Sequence, residues 1–277
     1  MPRFEYLAEA GSTNDELVLR AIGVDAASWS DLSVVVTDNQ TRGRGRLGRT
    51  WMAPTGKSLA ISLLLRPLLP GGEPLAVEHF GWLPLLAGAA MTRAVRGVVL
   101  PAFEADVEPD AQQHDADGMG GVEVSLKWPN DVLISGYKVA GILSELLPDA
   151  RGVVIGAGLN VSLDEHDLPT ITSTSLSLVT GTAPDQDVVL ASYLRELTSL
   201  YHDFVAAEGD AAKSGLLGVA TELCGTLGRA VRVELPGESE LLGTAVALDN
   251  AGRLVVRDRE NDELQSVAAG DVTHLRY

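Results

Sequence analysis

Two apolar runs read as strands, and the segment joining them cannot belong to either. Leu32-Ser-Val-Val-Val-Thr-Asp38 is rich in β-branched residues and predicts a buried strand, and Ser58-Leu-Ala-Ile-Ser-Leu-Leu-Leu65 predicts a second. Between them Gln40-Thr-Arg-Gly-Arg-Gly-Arg-Leu-Gly-Arg49, followed by Thr50-Trp51, places four arginines and three glycines in ten residues. Gly43, Gly45 and Gly48 are expected to supply positive φ and a close approach of backbone to a ligand. Backbone N–H groups and the guanidinium forks of Arg42, Arg44, Arg46 and Arg49 then converge on a phosphate or carboxylate. The loop reads as a lid over a site on a sheet. The alternative, a disordered basic loop, is opposed by the strands tight on both sides.

The rest of the chain is acidic. With 38 Asp and Glu against 21 Lys and Arg, the formal net charge is −17. A polynucleotide rewards a broad basic footprint, whereas here an acidic body surrounds one basic loop, so a nucleotide fits better. At 277 residues the chain can bury a full core in one large domain or two smaller ones. Cys224 is the single cysteine, which excludes intramolecular disulfides and cysteine-based metal clusters. The start, Met1-Pro-Arg-Phe-Glu-Tyr, has no signal-peptide core. The apolar stretch from Gly81 to Met91 is short and contains Pro84, so no bilayer span is expected. A cytoplasmic enzyme or binding protein is the expectation.

Arg3 to Leu7 predicts a first strand, and Ser12-Thr-Asn-Asp-Glu16 an N-cap with acidic first turn ahead of Leu17, Val18 and Ala21. A long helix is expected from Pro74 to Val95. Residues 97–126 hold seven acidic residues and no Lys or Arg, and with Pro101, Pro109 and Gly118-Met-Gly-Gly121 they suggest a flexible insertion. Further strands are expected at Val122–Trp128, Lys138–Leu147 and Gly152–Ser162. A second long helix spans Asp187–Ala207, with Val188, Leu190, Ala191, Leu194, Leu197, Leu200, Tyr201 and Phe204 on its apolar face. Beyond about Cys224 short strands at 230–235, 241–248, 253–257 and 264–268, with turns at Pro236-Gly237 and Asp249–Gly252, suggest a small all-β barrel.

Lys127-Trp-Pro-Asn-Asp131 and Lys138-Val-Ala-Gly141 carry two of only four lysines in the chain. Pro129 ends the ladder of its strand, so Asn130 and Asp131 are expected at a turn, and Ser135-Gly136 returns Lys138 beside them. Two ammonium groups and a carboxylate at the end of one hairpin suit a phosphate with metal assistance; a capped turn with solvated lysines is the bland alternative.

Taken together, Ser12-Thr13-Asn14, Gln40 through Trp51, Lys127 through Asp131, Lys138 through Gly141 and Gly156-Ala-Gly-Leu-Asn160 resemble the motifs of biotin protein ligases over about residues 5 to 165. The resemblance implies an α+β fold, a mixed sheet with flanking helices of the class II synthetase-like type, followed by a small SH3-like β-barrel. The expected division is 1–222 and 223–277, with the acidic insertion at about 101–123. It implies that biotin and ATP form biotinyl-5′-AMP with release of pyrophosphate. The biotinyl group then passes to one lysine of the biotin carboxyl carrier domain of acyl-CoA carboxylases.

Residue by residue, the resemblance assigns biotin contacts to Ser12, Thr13, Asn14, Gln40, Gly43, Arg44, Gly45, Arg46 and Lys138. It assigns ATP and adenylate contacts to Arg44, Arg46, Arg49, Trp51, Asn130, Lys138, Gly141 and Asn160. Lys138, Arg46 and Asp131 are the catalytic candidates, with Asp131 either a ligand of Mg²⁺ or the group that activates the acceptor lysine. From the residues alone, Ser12 and Thr13 read as a helix cap, Asn160 as a turn residue and Trp128 as core.

Some members of the family carry an N-terminal helix-turn-helix domain. Here Ser12 stands eleven residues from the start, so the monofunctional type is expected, without nucleic acid or membrane, as a monomer or weak homodimer. Three other readings fit parts of the sequence: a lipoate–protein ligase, a nucleic-acid-binding module and a non-catalytic biotin sensor.

Overall fold

The computed structural model describes residues 1–106, 121–235, 239–268 and 270–275. Its main sheet has seven strands. β1 (Phe4–Tyr6) pairs in parallel with β2 (Val34–Thr37) through α1 (Thr13–Ile22). The others pair antiparallel: β3 (Ser58–Leu65), β4 (Val124–Lys127), β5 (Asp131–Ile134), β6 (Tyr137–Leu146) and β7 (Val153–Asn160). The spatial order is β1-β2-β3-β7-β6-β5-β4.

The period of two along each strand decides which face does what. Leu59, Ile61, Leu63 and Leu65 of β3, with Ile155, Ala157 and Leu159 of β7, enter the main core. Helices α2 (Leu83–Asp106) and α4 (Gln186–Ala206) pack together in that core, α2 lying on β4 to β7. Burying a Leu, Val or Phe side chain there contributes about 1.5–3 kcal/mol each. On the opposite face Val35, Leu64 and Val154 meet Leu17 and Ala21 of α1 in a second, smaller core. That core covers only part of the face.

Short helices α3 (Leu176–Thr180) and α5 (Leu216–Leu223) lead to a second, five-stranded antiparallel sheet. It consists of β8 (Ala230–Leu235), β9 (Ser239–Leu248), β10 (Leu254–Asp258), β11 (Leu264–Val267) and β12 (Asp271–His274), in the order β11-β10-β9-β8-β12. Its inward residues, among them Val231, Val233, Leu241, Val256 and Val272, are continuous with the main core. Two indoles fasten the turn between β9 and β10. Trp82 Nε1 donates to the Asn250 carbonyl at 2.8 Å and Trp128 Nε1 to the Gly252 carbonyl at 3.0 Å. Gly252 sits at φ +75, and a Cβ there would press on Leu85 and Trp82.

The structure corrects several expectations. The segment 77–82 is a 3-10 turn, and the helix begins at Leu83 and runs past Val95 to Asp106, with Pro101 inside it. By length and composition the apolar span from Val77 to Phe103 is long enough to cross a bilayer, more than the short stretch at 81–91 suggested. Most of that surface is buried against the sheet and α4. Residues 101–106 of the expected flexible insertion are therefore helical, and 107–120 lie outside the described residues, as does the Pro236-Gly237 turn. On α4 the expected face is buried at Leu190, Leu197, Leu200, Tyr201 and Phe204, with Leu194 packed on the core, but Val188 and Ala191 face outward while Val189 and Tyr193 are buried.

Trp128→Phe should leave the Gly252 carbonyl buried without a donor, a loss of about 1–3 kcal/mol. Thermal denaturation should register a Tm lower by roughly 3–10 °C. A Tm within about 1 °C of the parent would mean that the indole hydrogen bond does not fasten the second sheet.

Candidate active site

The uncovered part of the sheet face is the floor of a cavity of about 640 Å³. Strand register builds it. Lys127 stands opposite Asp131, Asp131 opposite Gly141, Gly141 opposite Gly158, and Gly158 opposite Ala60, so one row of side chains crosses five strands on the same face. In the next row Leu143, Gly156 and Ser62 stand abreast. Small residues leave the middle of this floor flat, and charged ones rim it at β4 and β5.

Lys138 reaches the floor through a bulge. Three residues before Gly141, it would point into the core in a regular strand. The register of β6 against β5 shifts at Val132/Leu133, so Lys138 lies opposite Leu133 on the cavity face. Its ammonium is 2.5 Å from Asp131 Oδ1 and lies over the ring of Trp51, 5.6 Å from the centroid. That ring rests on Gly158, where any Cβ would intrude on it, and a Cβ at Gly141 would crowd the Lys138 side chain. Its Nε1 is buried and has no hydrogen-bond partner.

Next to Ser62 sits a cluster of neutral polar groups. Ser12, Thr13 and Asn14 are buried at the start of α1, where Ser12 caps the helix through the N–H of Asp15. Gln40 Oε1 accepts from the Thr13 N–H at 2.9 Å, and Ser62 Oγ is 2.8 Å from Thr13 Oγ1 and 2.6 Å from Asn14 Oδ1. Asn14 Nδ2 donates to Glu145 at 2.7 Å.

The arginine loop is a hairpin over this floor. Trp51 N–H donates to the Gly43 carbonyl at 2.9 Å and Gly45 N–H to the Arg49 carbonyl at 2.7 Å. Of its glycines only Gly48, at φ +73, adopts the left-handed region, together with Leu47 at φ +56. Gly43 is needed for contact instead, because a Cβ there would overlap the Trp51 carbonyl and Gln40. Gly45 is extended and has ordinary space for a Cβ. The expected positive φ is thus found at one of the three glycines.

Arg42 is exposed and stands outside the cavity, against the expectation that all four guanidinium groups converge there, while the other three loop arginines already have partners. Arg44 pairs with Asp15 and with Glu145 at 2.9 Å, and Arg49 with Asp271. Arg46 donates to Asn130 Oδ1 at 2.9 Å and to the Gly270 carbonyl at 3.0 Å, both neutral, and burial pulls its pKa down. Burial pushes the Asp271 carboxyl up, but the hydrogen bond and charge of Arg49, with the charges of Lys127 and Arg46, hold it below the usual carboxylate range. The Arg49–Asp271 link is therefore fully present at neutral pH and is lost only as pH falls below about 4.

All the expected site residues line the cavity except Gly43, which supports the loop from behind. Asn130 serves Arg46 and also donates to the Ile142 carbonyl at 2.8 Å. Asn160 is not a turn residue: it ends β7, paired with Ser58, and its Nδ2 donates to the Thr174 carbonyl at 2.9 Å. Sequence reasoning missed Ser62, Glu145, Asp271 and Arg229. Strand alternation through Gly156 and Gly158 was the available signal for the floor; nothing local marked Asp271, which arrives from the second sheet. Among the described residues no three His, Cys, Asp or Glu side chains converge as a metal cluster.

Residues 12–160 match the Biotin/lipoate A/B protein ligase family, and residues 226–275 match the Biotin protein ligase C terminal domain. The biotin–[acetyl-CoA-carboxylase] ligase of Mycobacterium tuberculosis is 34% identical over 99% of this chain and 90% of the relative. The bifunctional ligase/repressor BirA of Bacillus spizizenii is 28% identical over 87% of this chain, which spans 65% of that relative's length. The biotin protein ligase from Aquifex aeolicus in complex with biotin and ATP superposes with a TM-score of 0.71 at 26% identity, covering 100% of both chains.

Gly158→Ala should lift the Trp51 ring off the floor and open its buried Nε1 to water. Its fluorescence should shift to the red and become more open to acrylamide, while Trp29, Trp82 and Trp128 stay buried as a constant background. Unchanged quenching would show that Trp51 does not rest on this strand.

Proposed function

Since the chain belongs to the biotin/lipoate A/B protein ligase family and is a biotin protein ligase, we propose how its residues join biotin to ATP and hand the biotinyl group to a lysine. One observation carries the assignment of roles. A single cavity holds a neutral polar cluster at one end and a lysine, a desolvated arginine and a lid at the other.

The neutral groups of Ser12, Thr13, Asn14 and Gln40 suit the uncharged ureido head of biotin, which needs a few aimed hydrogen bonds in an otherwise apolar pocket. The biotin carboxylate then reaches Lys138 and Arg46. One of its oxygens attacks the α-phosphorus of ATP. The new C–O–P anhydride forms as the bond to the bridging oxygen breaks, and the electron pair leaves with pyrophosphate. Lys138, Arg44 and Arg46 screen anions that must come together and stabilise charge on phosphorus. The flat floor at Gly141 and Gly158, with Trp51, Arg49, Asn130 and Asn160 around it, accommodates the nucleoside.

Asp131 is the carboxylate that would hold the magnesium of MgATP, and the ion would supply positive charge to the phosphate oxygens. In the second step the ε-amine of the carrier lysine attacks the anhydride carbonyl, forms the amide, expels AMP and gives up a proton, for which Asp131 is the nearby base. The acceptor is the biotin carrier domain of a carboxylase. The two sheets correspond to domains 1–222 and 223–277. The net charge of −17 supports small anions over polynucleotides as ligands, and a cytoplasmic monomer or weak homodimer fits that chemistry.

The protein with biotin, MgATP and labelled pyrophosphate should exchange label into ATP only when biotin is present. Lys138→Met should slow this exchange about a hundredfold, the loss of roughly 3 kcal/mol of transition-state stabilisation. A variant keeping half its rate would remove Lys138 from the mechanism.

Arg46→Gly should still form the adenylate but let it escape, because the lid is then held by fewer charge-assisted bonds. With serum albumin in the mixture, the albumin should become biotinylated. Unlabelled albumin alongside normal adenylate synthesis would show that Arg46 does not retain the intermediate.

A further inference from the structure

The cavity continues past the lysine that meets the reacting groups. Beyond Asp131 it is lined by Lys127, Ser125, Gly225, Arg229 and Asp271, between β4 and the second sheet. Lys127 ends the row of side chains that starts at Ala60, and four strand spacings of about 4.8 Å put these two positions roughly 19 Å apart across the floor. Lys138 lies two strands in from Lys127.

We propose that Lys127, with Arg229 at the rim, binds the β- and γ-phosphates of the nucleotide and then the departing pyrophosphate. The inference deepens the proposed reaction and rests on that reading. Direction carries it. In a phosphoryl or nucleotidyl transfer the attacking and leaving oxygens stand roughly in line on opposite sides of phosphorus. With the neutral polar cluster at β3 and the phosphorus near Lys138 on β6, the leaving group must emerge toward β5 and β4. Lys127 stands there.

Its surroundings agree. The other cavity cations have anionic or neutral acceptors: Lys138 has Asp131, Arg44 has Asp15 and Glu145, Arg49 has Asp271, and Arg46 has Asn130 and the Gly270 carbonyl. Among the described residues no hydrogen bond or ion pair engages the Lys127 ammonium; it acts on Asp271 only through charge. Arg229 is held toward the opening by its bond to the Gly225 carbonyl at 2.7 Å and a long contact of 3.5 Å to Glu123. A pyrophosphate gains an uncompensated charge at Lys127 without first displacing a carboxylate. The same group neutralises the leaving oxygens as the Pα–O bond breaks.

The test uses the full chain and its Lys127→Ala and Lys127→Arg variants. In biotin-dependent exchange, Lys127→Ala should raise the KM for pyrophosphate and for MgATP about tenfold or more. Lys127→Arg should recover most of that loss. Binding of biotin alone, measured by calorimetry, should change less than about twofold, as should transfer from supplied biotinyl-5′-AMP to the carrier domain, a step without pyrophosphate. Magnesium pyrophosphate titrated into the parent and Lys127→Ala proteins should bind more weakly to the variant.

Equal losses in exchange and in transfer from supplied adenylate would overturn the proposal and make Lys127 a structural residue. An unchanged KM for pyrophosphate would overturn it as well. If Lys127→Ala does not fold, the soluble Arg229→Ala protein must show a smaller rise confined to the same two constants, and no rise would count against the site. Absence of biotin-dependent exchange in the parent would instead overturn the underlying reaction.

Discussion

The structure depends on how one sheet spends its two faces. One face is given wholly to apolar packing under α2 and α4, and β3 and β7 meet that demand with Leu, Ile and Ala at every second position. The other face is shared between α1 and a ligand cavity. Where α1 covers it, the alternate residues are Val35, Leu64 and Val154; where the cavity begins they become Ser62, Ala60, Gly156 and Gly158. A single strand thus changes task within a few residues, from a floor for a helix to a floor for a small molecule. The glycines are needed because Asn14 and Trp51 lie against that backbone with no room for a Cβ between.

Charge follows from the same economy of space. An acidic body with net charge −17 could neutralise every cation near the site, and it does so for Arg44, Arg49 and Lys138. Those pairs hold the hairpin down without a ligand. At Arg44 and Lys138 an entering anion exchanges one ion pair for another, whereas at Arg46 it meets a charge held only by neutral partners.

Much of this was legible in the sequence, and the failures have physical causes. The strands at 34–37, 58–65, 124–127, 137–146 and 153–160 declare themselves through β-branched and apolar runs. The cap at Ser12 is also of the expected type. The helix from Leu83 outran its predicted end because a proline inside a helix removes one hydrogen bond and does not stop a chain whose face is buried in a core. The apolar face of α4 was misread only in its first turns, since Val188 and Val189 look alike to a periodic pattern and only packing chooses between them. The position of Lys138 could not be seen at all: a bulge turns it, and bulges leave no signature that alternation can report. Asp271 was invisible for a different reason. Its role needs the second sheet to be docked, and no local pattern states where a separate sheet will lie.

That docking makes the C-terminal unit part of the site. Trp82 and Trp128 hold the β9–β10 turn, and Gly270 and Asp271, where β12 begins, receive Arg46 and Arg49 from the hairpin. The two arginines are treated differently. Arg49 is exposed and meets a carboxylate, so its charge is cancelled. Arg46 is half-buried and meets only the Asn130 amide oxygen and the Gly270 carbonyl. Dipoles satisfy its hydrogen bonds but leave the charge standing in a medium that penalises it, which is why burial lowers its pKa. A desolvated cation of this kind is poised for an anion, because the cost of removing it from water was met when the chain folded. On the proposed reading the small sheet contributes to anion binding through a backbone carbonyl, a group that fixes the arginine without competing for its charge.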